Sequence, residues 1–275
     1  MHETRSNSLI TDGNDPLIKR FQSLQTRAGR AKSGSYLVEG IRQVARAIEA
    51  RASIEHLFIA PSVLTNRLGQ VLARRLRQSG IPCAKLAPEI YRQLSLAATP
   101  QGIGAMIRQD WLRLSDVPIS QDACWLAVEG VRSPGNLGTL LRTSEATGAT
   151  GVILIGGTAD PYDPAALRAT MGSLFGQKLV RTSVRDFAAW LRRHELLLIG
   201  SSPSATQDYR GITYSKPVVI MVGNERQGLS RELIDECDTL VRIPLARSGV
   251  DSLNVAVAGG ILLYEVFYQR RCPQS

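Results

Sequence analysis

Short apolar runs alternate along the chain with stretches of helical period, and both the runs and the stretches carry assignable elements. In the first third, Asp15-Pro16 precedes a helix-like stretch over residues 17–27, and a small-residue and basic loop, 28–35, follows. Tyr36-Leu37-Val38-Glu39 then reads as a strand. A helix over residues 41–49 comes next, with Ile41, Val44, Ala45 and Ile48 on one face. A strand at 56–60 and a helix around 66–79 complete the pattern, which predicts a small α/β layer. From residue 125 the runs become longer and more β-branched: 125–128, Gly151-Val152-Ile153-Leu154-Ile155, 196–199, Val218-Val219-Ile220-Met221-Val222 and 240–243. Continuous apolar strands separated by helices, such as the one expected near 137–147, signal a parallel sheet covered on both faces. The last run, from Ser252 to about Tyr268, is apolar on more than one side and predicts a helix buried nearly all round.

These patterns divide the chain into a first unit, 1–108, a linker at 109–122 containing Ser115, Pro118 and Ser120, and a second unit, 123–275. The fold class is α/β, with a parallel sheet in the second unit. A length of 275 residues suits two such units, and 44% hydrophobic residues support packed cores. No apolar stretch reaches the roughly 20 residues of a membrane helix, and residues 1–15 are polar, without a secretory signal. Cys83, Cys124, Cys237 and Cys272 lack metal-ligand spacing, which argues against a metal site and suits a reducing cytoplasm.

The net charge of +9 changes the picture once it is located. Residues 1–110 hold 16 basic and 8 acidic side chains, whereas the remainder is nearly balanced. A basic first unit is the footprint expected of a nucleic-acid partner, although a modest excess also serves plain solubility. The candidate phosphate contacts are Lys19, Arg20, Arg27, Arg30, Lys32 and Arg42.

Three loops in the second unit carry candidate chemistry. The first runs from Glu129 through Asn136-Leu137-Gly138 to Arg142, with Asn136 at an expected helix N-cap. It lacks both G-x-G-x-x-G and the G-K-[ST] of a P-loop, which makes a dinucleotide- or triphosphate-dependent enzyme a poor reading. The second, Gly223-Asn224-Glu225 to Gly228, follows the strongest strand, and Ser230 is placed to cap the next helix. The third is Ile243-Pro244-Leu245, then Ser252-Leu253-Asn254-Val255-Ala256, with Ser252 read as an N-cap. Taken singly, each is an ordinary cap or loop.

Together and in this order, they resemble the SpoU (TrmH-like) class of the SPOUT RNA methyltransferases. That class carries an Asn-x-Gly-x-x-x-Arg loop, a Gly-Asn/Ser-Glu loop, and Ile-Pro-Met/Leu followed by Ser-Leu-Asn-Val-Ser/Ala. The first unit is similar to the family's ribosomal-protein-like substrate-binding extension through Asn14-Asp15-Pro16-Leu17-Ile18-Lys19, Leu37-Val38-Glu39-Gly40 and Thr99-Pro100-Gln101-Gly102. Two departures are minor: Ala256 replaces a common Ser, and Gly104 stands where a larger apolar residue is frequent.

The resemblance implies a trefoil-knotted domain, S-adenosyl-L-methionine as cofactor with no metal, a homodimer, and methylation of a ribose 2′-hydroxyl. Large-subunit (23S) ribosomal RNA is the expected substrate in the cytoplasm, with no membrane association. Transfer RNA and a non-catalytic RNA-binding or ribosome-assembly factor are the alternatives. By the same resemblance, Arg142 activates the hydroxyl. Since an arginine is an awkward base, phosphate binding and alkoxide stabilisation are the favoured roles. Glu225 takes the proton or holds Arg142, and Asn136, Ser252 and Asn254 orient the groups. Gly223, Asn224, Ile243, Leu245 and Leu253 are the cofactor-binding candidates.

Overall fold

A computed structural model describes residues 8–214, 217–246, 249 and 251–271. Residues 1–7 of the polar start, Arg247, Ser248 and Val250 of the third loop, and Cys272 lie outside the described residues. Contacts divide the chain into two compact units. The first is Met1–Gln109 together with Tyr162–Phe175, and the second is Asp110–Pro161 with Gly176–Ser275.

In chain order the first unit comprises β1 (Leu9–Ile10), α1 (Pro16–Ser23), α2 (Arg27–Ser33), β2 (Ser35–Glu39), α3 (Ile41–Glu49), β3 (Ile54–Ile59), α4 (Arg67–Gln78), β4 (Cys83–Leu86), α5 (Pro88–Leu94) and β5 (Ile103–Arg108). The strands form one mixed sheet in the order β1-β4-β3-β5-β2, with β5 antiparallel to both neighbours. Asp15 caps α1 through Leu17 N, with Pro16 as first helical residue. The stretch read as a loop at 28–35 is mostly α2, capped by the Thr26 side chain on Gly29 N and closed by Gly34. Its single turns of Ala, Arg and Lys form a helix whose buried residue, Arg30, is not apolar, so hydrophobic periodicity could not announce it.

Ile18, Phe21, Phe58, Tyr91 and Met106 fill this core. Gly104 explains its own departure from the family pattern. A Cβ there would lie 2.2 Å from the Phe58 ring, so the bulk frequent at this position is supplied by phenylalanine from the adjacent strand.

The second unit comprises β6 (Cys124–Glu129), α6 (Pro134–Ala146), β7 (Gly151–Ile155), β8 (Lys178–Thr182), α8 (Val184–Leu191), β9 (Leu197–Ser201), β10 (Gln207–Asp208), β11 (Val218–Val222), α9 (Arg231–Asp235), β12 (Thr239–Arg242) and α10 (Val255–Arg271). Between β7 and β8 the chain leaves to contribute α7 (Pro164–Thr170) to the first unit. The seven strands are all parallel, in the order β10-β12-β9-β11-β6-β7-β8. Every residue of β6, β7 and β11 is buried, as a sheet covered on both faces requires.

The segment read as a linker, 109–122, belongs to this unit from Asp110 on, while Gln109 stays with the first. Leu112 N donates to Leu179 O (2.8 Å), Leu112, Leu114 and Ile119 lie against the core, and the Trp125 indole donates to Pro118 O. Its apolar residues follow neither helical nor strand spacing, which is why they read as loop.

The last helix is also less buried than its composition suggested. Val255, Gly259, Leu262, Leu263 and Val266 are buried as a single stripe, while Val257, Tyr264 and Tyr268 are 50%, 51% and 61% exposed. One face of α10 covers α6 and β11, and the opposite apolar face stays open in the single chain.

Candidate active site

The loops that leave the carboxyl ends of β6, β9, β11 and β12 meet at one edge of the parallel sheet, where open α/β sheets bind ligands. Their meeting is enforced by side-chain amides. The Asn254 amide donates to Asn136 Oδ1 (3.1 Å), and the Asn136 amide donates to Glu225 Oε1 (3.0 Å). Glu225 also accepts from the backbone N–H groups of Arg132 and Ser133 (3.3 and 3.2 Å). Asn224 Nδ2 donates to Gly130 O (2.7 Å). Thus the three loops singled out above are joined through two continuous amide links, Asn254–Asn136–Glu225 and Asn224–Gly130.

The Gly223–Gly228 loop is itself a closed turn. Asn224 and Gly228 exchange backbone hydrogen bonds (2.9 Å each), and Asn224 Oδ1 accepts from Arg226 N and Gln227 N. Gly223 is required by close approach, because a Cβ there would lie 2.2 Å from the Gly228 carbonyl carbon.

Several expected roles change place. Ser133, not Asn136, is the N-cap of α6, accepting from Asn136 N, so the Asn136 side chain is released to span loops. At α10 the capping oxygen belongs to Asn254, which accepts from Ala256 N, rather than to Ser252. Ser230 precedes α9 without a side-chain cap bond, and its backbone N–H is instead taken by Glu129 Oε2 (2.8 Å).

A cleft of about 760 Å3, its open mouth included, lies among these loops. All five residues expected to hold a cofactor, Gly223, Asn224, Ile243, Leu245 and Leu253, line it, with Glu225 and Ser252 beside them. Sequence reasoning missed Ser201, Ser202 and Pro203, which enter from the end of β9. A Gly-Ser-Ser-Pro turn after an apolar strand was the available signal. Val222, Ile243, Leu253 and Val255 make an apolar wall, and serines and Asn224 supply polar edges. That donor set fits a largely neutral adenosine–methionine molecule, and the Glu225 carboxylate complements a sulfonium charge.

Burial acts to raise the Glu225 pKa, but hydrogen bonds from Asn136 and from the backbone of Glu225, Arg132 and Ser133 outweigh it, leaving the pKa below the usual carboxylate value. A carboxylate so saturated with donors is a poor proton acceptor at neutral pH. Arg142 is exposed on α6 and has no hydrogen bond or ion pair among the described residues. It is not held by Glu225, and its guanidinium stands available to an anion. Among the described residues no group of three or more His, Cys, Asp and Glu side chains is arranged to hold a metal.

In the first unit, Lys19, Arg27, Lys32 and Arg42 are exposed; Arg20 is exposed and paired with Glu55 at 3.4 Å. Arg30 must be removed from the phosphate contacts. It is 1% exposed, donates to Leu24 O and Gln25 O (3.0 and 2.9 Å), and pairs with Asp163 at 3.3 Å. The reading overlooked Arg74, Arg75 and Arg77, which are exposed on a helix with no acidic residue. The Arg-Arg-Leu-Arg run was visible in the chain.

Residues 123–264 match the SpoU rRNA Methylase family and residues 15–105 the MRM3-like substrate binding domain, and the chain belongs to the SpoU rRNA Methylase family. It is 30% identical over 262 residues to the 23S rRNA (uridine(2479)-2′-O)-methyltransferase of Streptomyces viridochromogenes, covering 91% of this chain and 90% of that one. It is 28% identical to the 23S rRNA (guanosine(2553)-2′-O)-methyltransferase of Bacillus subtilis, covering 94% and 98%. The AdoMet-bound rRNA methyltransferase of Sinorhizobium meliloti superposes with a TM-score of 0.87 at 33% identity, over 98% of this chain and 99% of that one.

Proposed function

We propose that the protein transfers a methyl group from S-adenosyl-L-methionine to a ribose 2′-hydroxyl of large-subunit ribosomal RNA. The observation that carries this reading is the Asn254–Asn136–Glu225 chain, which gathers the family's three signature loops around one cleft. Relatives named as 23S rRNA 2′-O-methyltransferases match over at least nine-tenths of the chain, which favours ribosomal over transfer RNA.

Gly223, Asn224, Ile243, Leu245 and Leu253 hold the cofactor, with Ser201 and Ser202 at its edge. When bound, the cofactor supplies an electrophilic methyl group. The remaining work is positioning. Arg142 binds the phosphate beside the target ribose and stabilises charge developing on the 2′-oxygen, whose proton passes to solvent at the open mouth of the cleft as the C–S bond breaks. Glu225, ionised and immobilised, fixes the loop that ends at Ser133 and is not the proton acceptor. Asn136 and Asn254 keep the loops in register, and Ser252 orients the substrate side of the cleft.

The first unit captures RNA through Lys19, Arg20, Arg27, Lys32 and Arg42, joined by Arg74, Arg75 and Arg77. The catalytic unit is trefoil-knotted and works as a homodimer, consistent with the open apolar stripe Val257, Tyr264 and Tyr268 on α10. Among the described residues no helix is long and apolar enough to cross a membrane, and the proposed site of action is the cytoplasm.

The test is transfer of tritiated methyl from S-adenosyl-L-methionine to ribosomal RNA from cells lacking the protein, followed by alkaline hydrolysis. An alkali-resistant labelled dinucleotide is expected, since a 2′-O-methyl group blocks cleavage at that bond. Label on a base, or no transfer to ribosomal RNA, overturns the reading.

A further inference from the structure

The first unit contains a second cavity, of about 680 Å3 with its mouth included, away from the cleft described above. Its wall is apolar and partly aromatic: Leu24, Leu37, Phe58, Tyr91, Leu94 and Leu167. Gln25, Glu39, Gln43, Ser95 and Arg168 supply its polar groups. Gln43, on α3, lines the cavity, and its Oε1 is buried without a hydrogen-bond partner among the described residues. The amide cannot be satisfied by turning over. Its nitrogen already donates to Leu167 O (3.2 Å), and exchanging the two ends would set oxygen against oxygen. An orphaned buried acceptor loses its water without replacement, so its retention calls for a partner that is not part of the chain.

Two further features define that partner. Glu39 accepts from the Ser95 hydroxyl and from Leu96 N, one bond to each carboxylate oxygen, which pins the rim loop. Arg168 also lines the cavity and is exposed, as is Leu96. The site thus presents an apolar slot, an unpartnered amide oxygen buried in its wall and a cation at the edge.

We infer that this cavity receives a nucleobase extruded from the RNA substrate, an inference that rests on the RNA methyltransferase reading. A base is flat and largely apolar on its faces, carries an N–H donor for Gln43 Oε1, and is followed by a phosphate for Arg168. Sequence-specific capture of RNA commonly uses unstacked bases in this way. The pocket gives the first unit a means of fixing register, which surface phosphate contacts by themselves do not provide.

Two variants of the full-length protein test it. Gln43→Leu removes the acceptor while leaving Leu167 O bonded to the Thr170 hydroxyl (2.7 Å), so its thermal midpoint is expected not to fall. Ala97→Trp fills the slot from the rim. With ribosomal RNA from cells lacking the protein, each is expected to raise KM for RNA about tenfold, the effect of a lost hydrogen bond of about 1.4 kcal/mol. kcat and KM for S-adenosyl-L-methionine are expected to stay within twofold. An RNA KM within twofold of wild type in both variants overturns the inference, as does a loss confined to kcat.

A second arm uses cytidine, observed by saturation-transfer NMR with S-adenosylhomocysteine filling the other cleft. A cytidine signal abolished by Ala97→Trp supports a base pocket, and no signal in wild type counts against one. Loss of that signal with an unchanged RNA KM assigns the pocket to a free nucleoside and overturns the RNA assignment. If wild-type protein transfers no methyl to ribosomal RNA, the proposed function fails. The cytidine arm then still decides whether the slot takes a base.

Discussion

Arg30 offers the sharpest separation between structural and RNA-binding cation. Its guanidinium is 1% exposed and holds two carbonyls at the end of α1 together with the Asp163 carboxylate. Asp163 lies on the segment Tyr162–Phe175 that joins the first unit and also caps α7 through Ala165 N. Arg30→Met keeps the aliphatic stem and deletes the donors. It leaves two carbonyls and one carboxylate oxygen without their partner, the Asp163 side chain being 32% exposed to water. Losing the buried guanidinium costs about 3 kcal/mol, the low end of the range for a buried pair, because the partly exposed Asp163 carboxylate is rehydrated. For a unit of this size that corresponds to a fall in melting midpoint on the order of 10–20 °C. The assay is thermal unfolding followed by near-ultraviolet circular dichroism, with RNA binding measured by filter retention across a salt series.

The control is Lys32→Ala, at an exposed position. Its stability is expected to stay within about 0.5 kcal/mol of wild type, while the salt slope of RNA binding falls by about 1. If Arg30→Met melts like wild type yet loses a unit of salt slope, the reasoning from burial is refuted.

Further outcomes follow from the active-site geometry. Arg142→Ala is expected to abolish methyl transfer while calorimetry finds cofactor affinity within twofold; near-normal turnover removes Arg142 from the mechanism. Gly223→Ala forces a Cβ toward the Gly228 backbone and is expected to weaken cofactor binding at least tenfold without unfolding the sheet. The Glu225 carboxyl is held below its unfolded value, so the loop stabilisation it provides is complete above the ordinary carboxylate range and disappears as pH falls through the depressed value. Cofactor affinity is therefore expected to stay flat from pH 7 to about pH 5 and to drop only at more acid pH. Glu225→Gln should bind more weakly already at neutral pH, and equal affinity of the two proteins there counts against the network. Val257→Glu on the open face of α10 is expected to shift the sedimentation coefficient from dimer to monomer.

The sequence by itself determined the elements that have a period and the loops that have a motif. β7 and β11 were readable to the residue, because a strand buried on both faces must be continuously apolar. The five cofactor candidates came from the likeness of the loops to the family's motifs, and the fold places all five on one cleft. What the tertiary structure alone decided is which side chain meets which across distance. Asn136 and Ser252 both read as helix caps in sequence, and only the fold, which brings the Asn254 amide 3.1 Å from Asn136 Oδ1 across 118 positions, makes Asn254 the cap and Asn136 a bridge. Likewise Arg30 and Lys32 are equivalent as letters in a basic stretch. They differ because α2 turns one toward Asp163, more than a hundred residues away, and the other toward solvent. Burial is a property of packing between distant segments, and no local pattern encodes it for a charged residue.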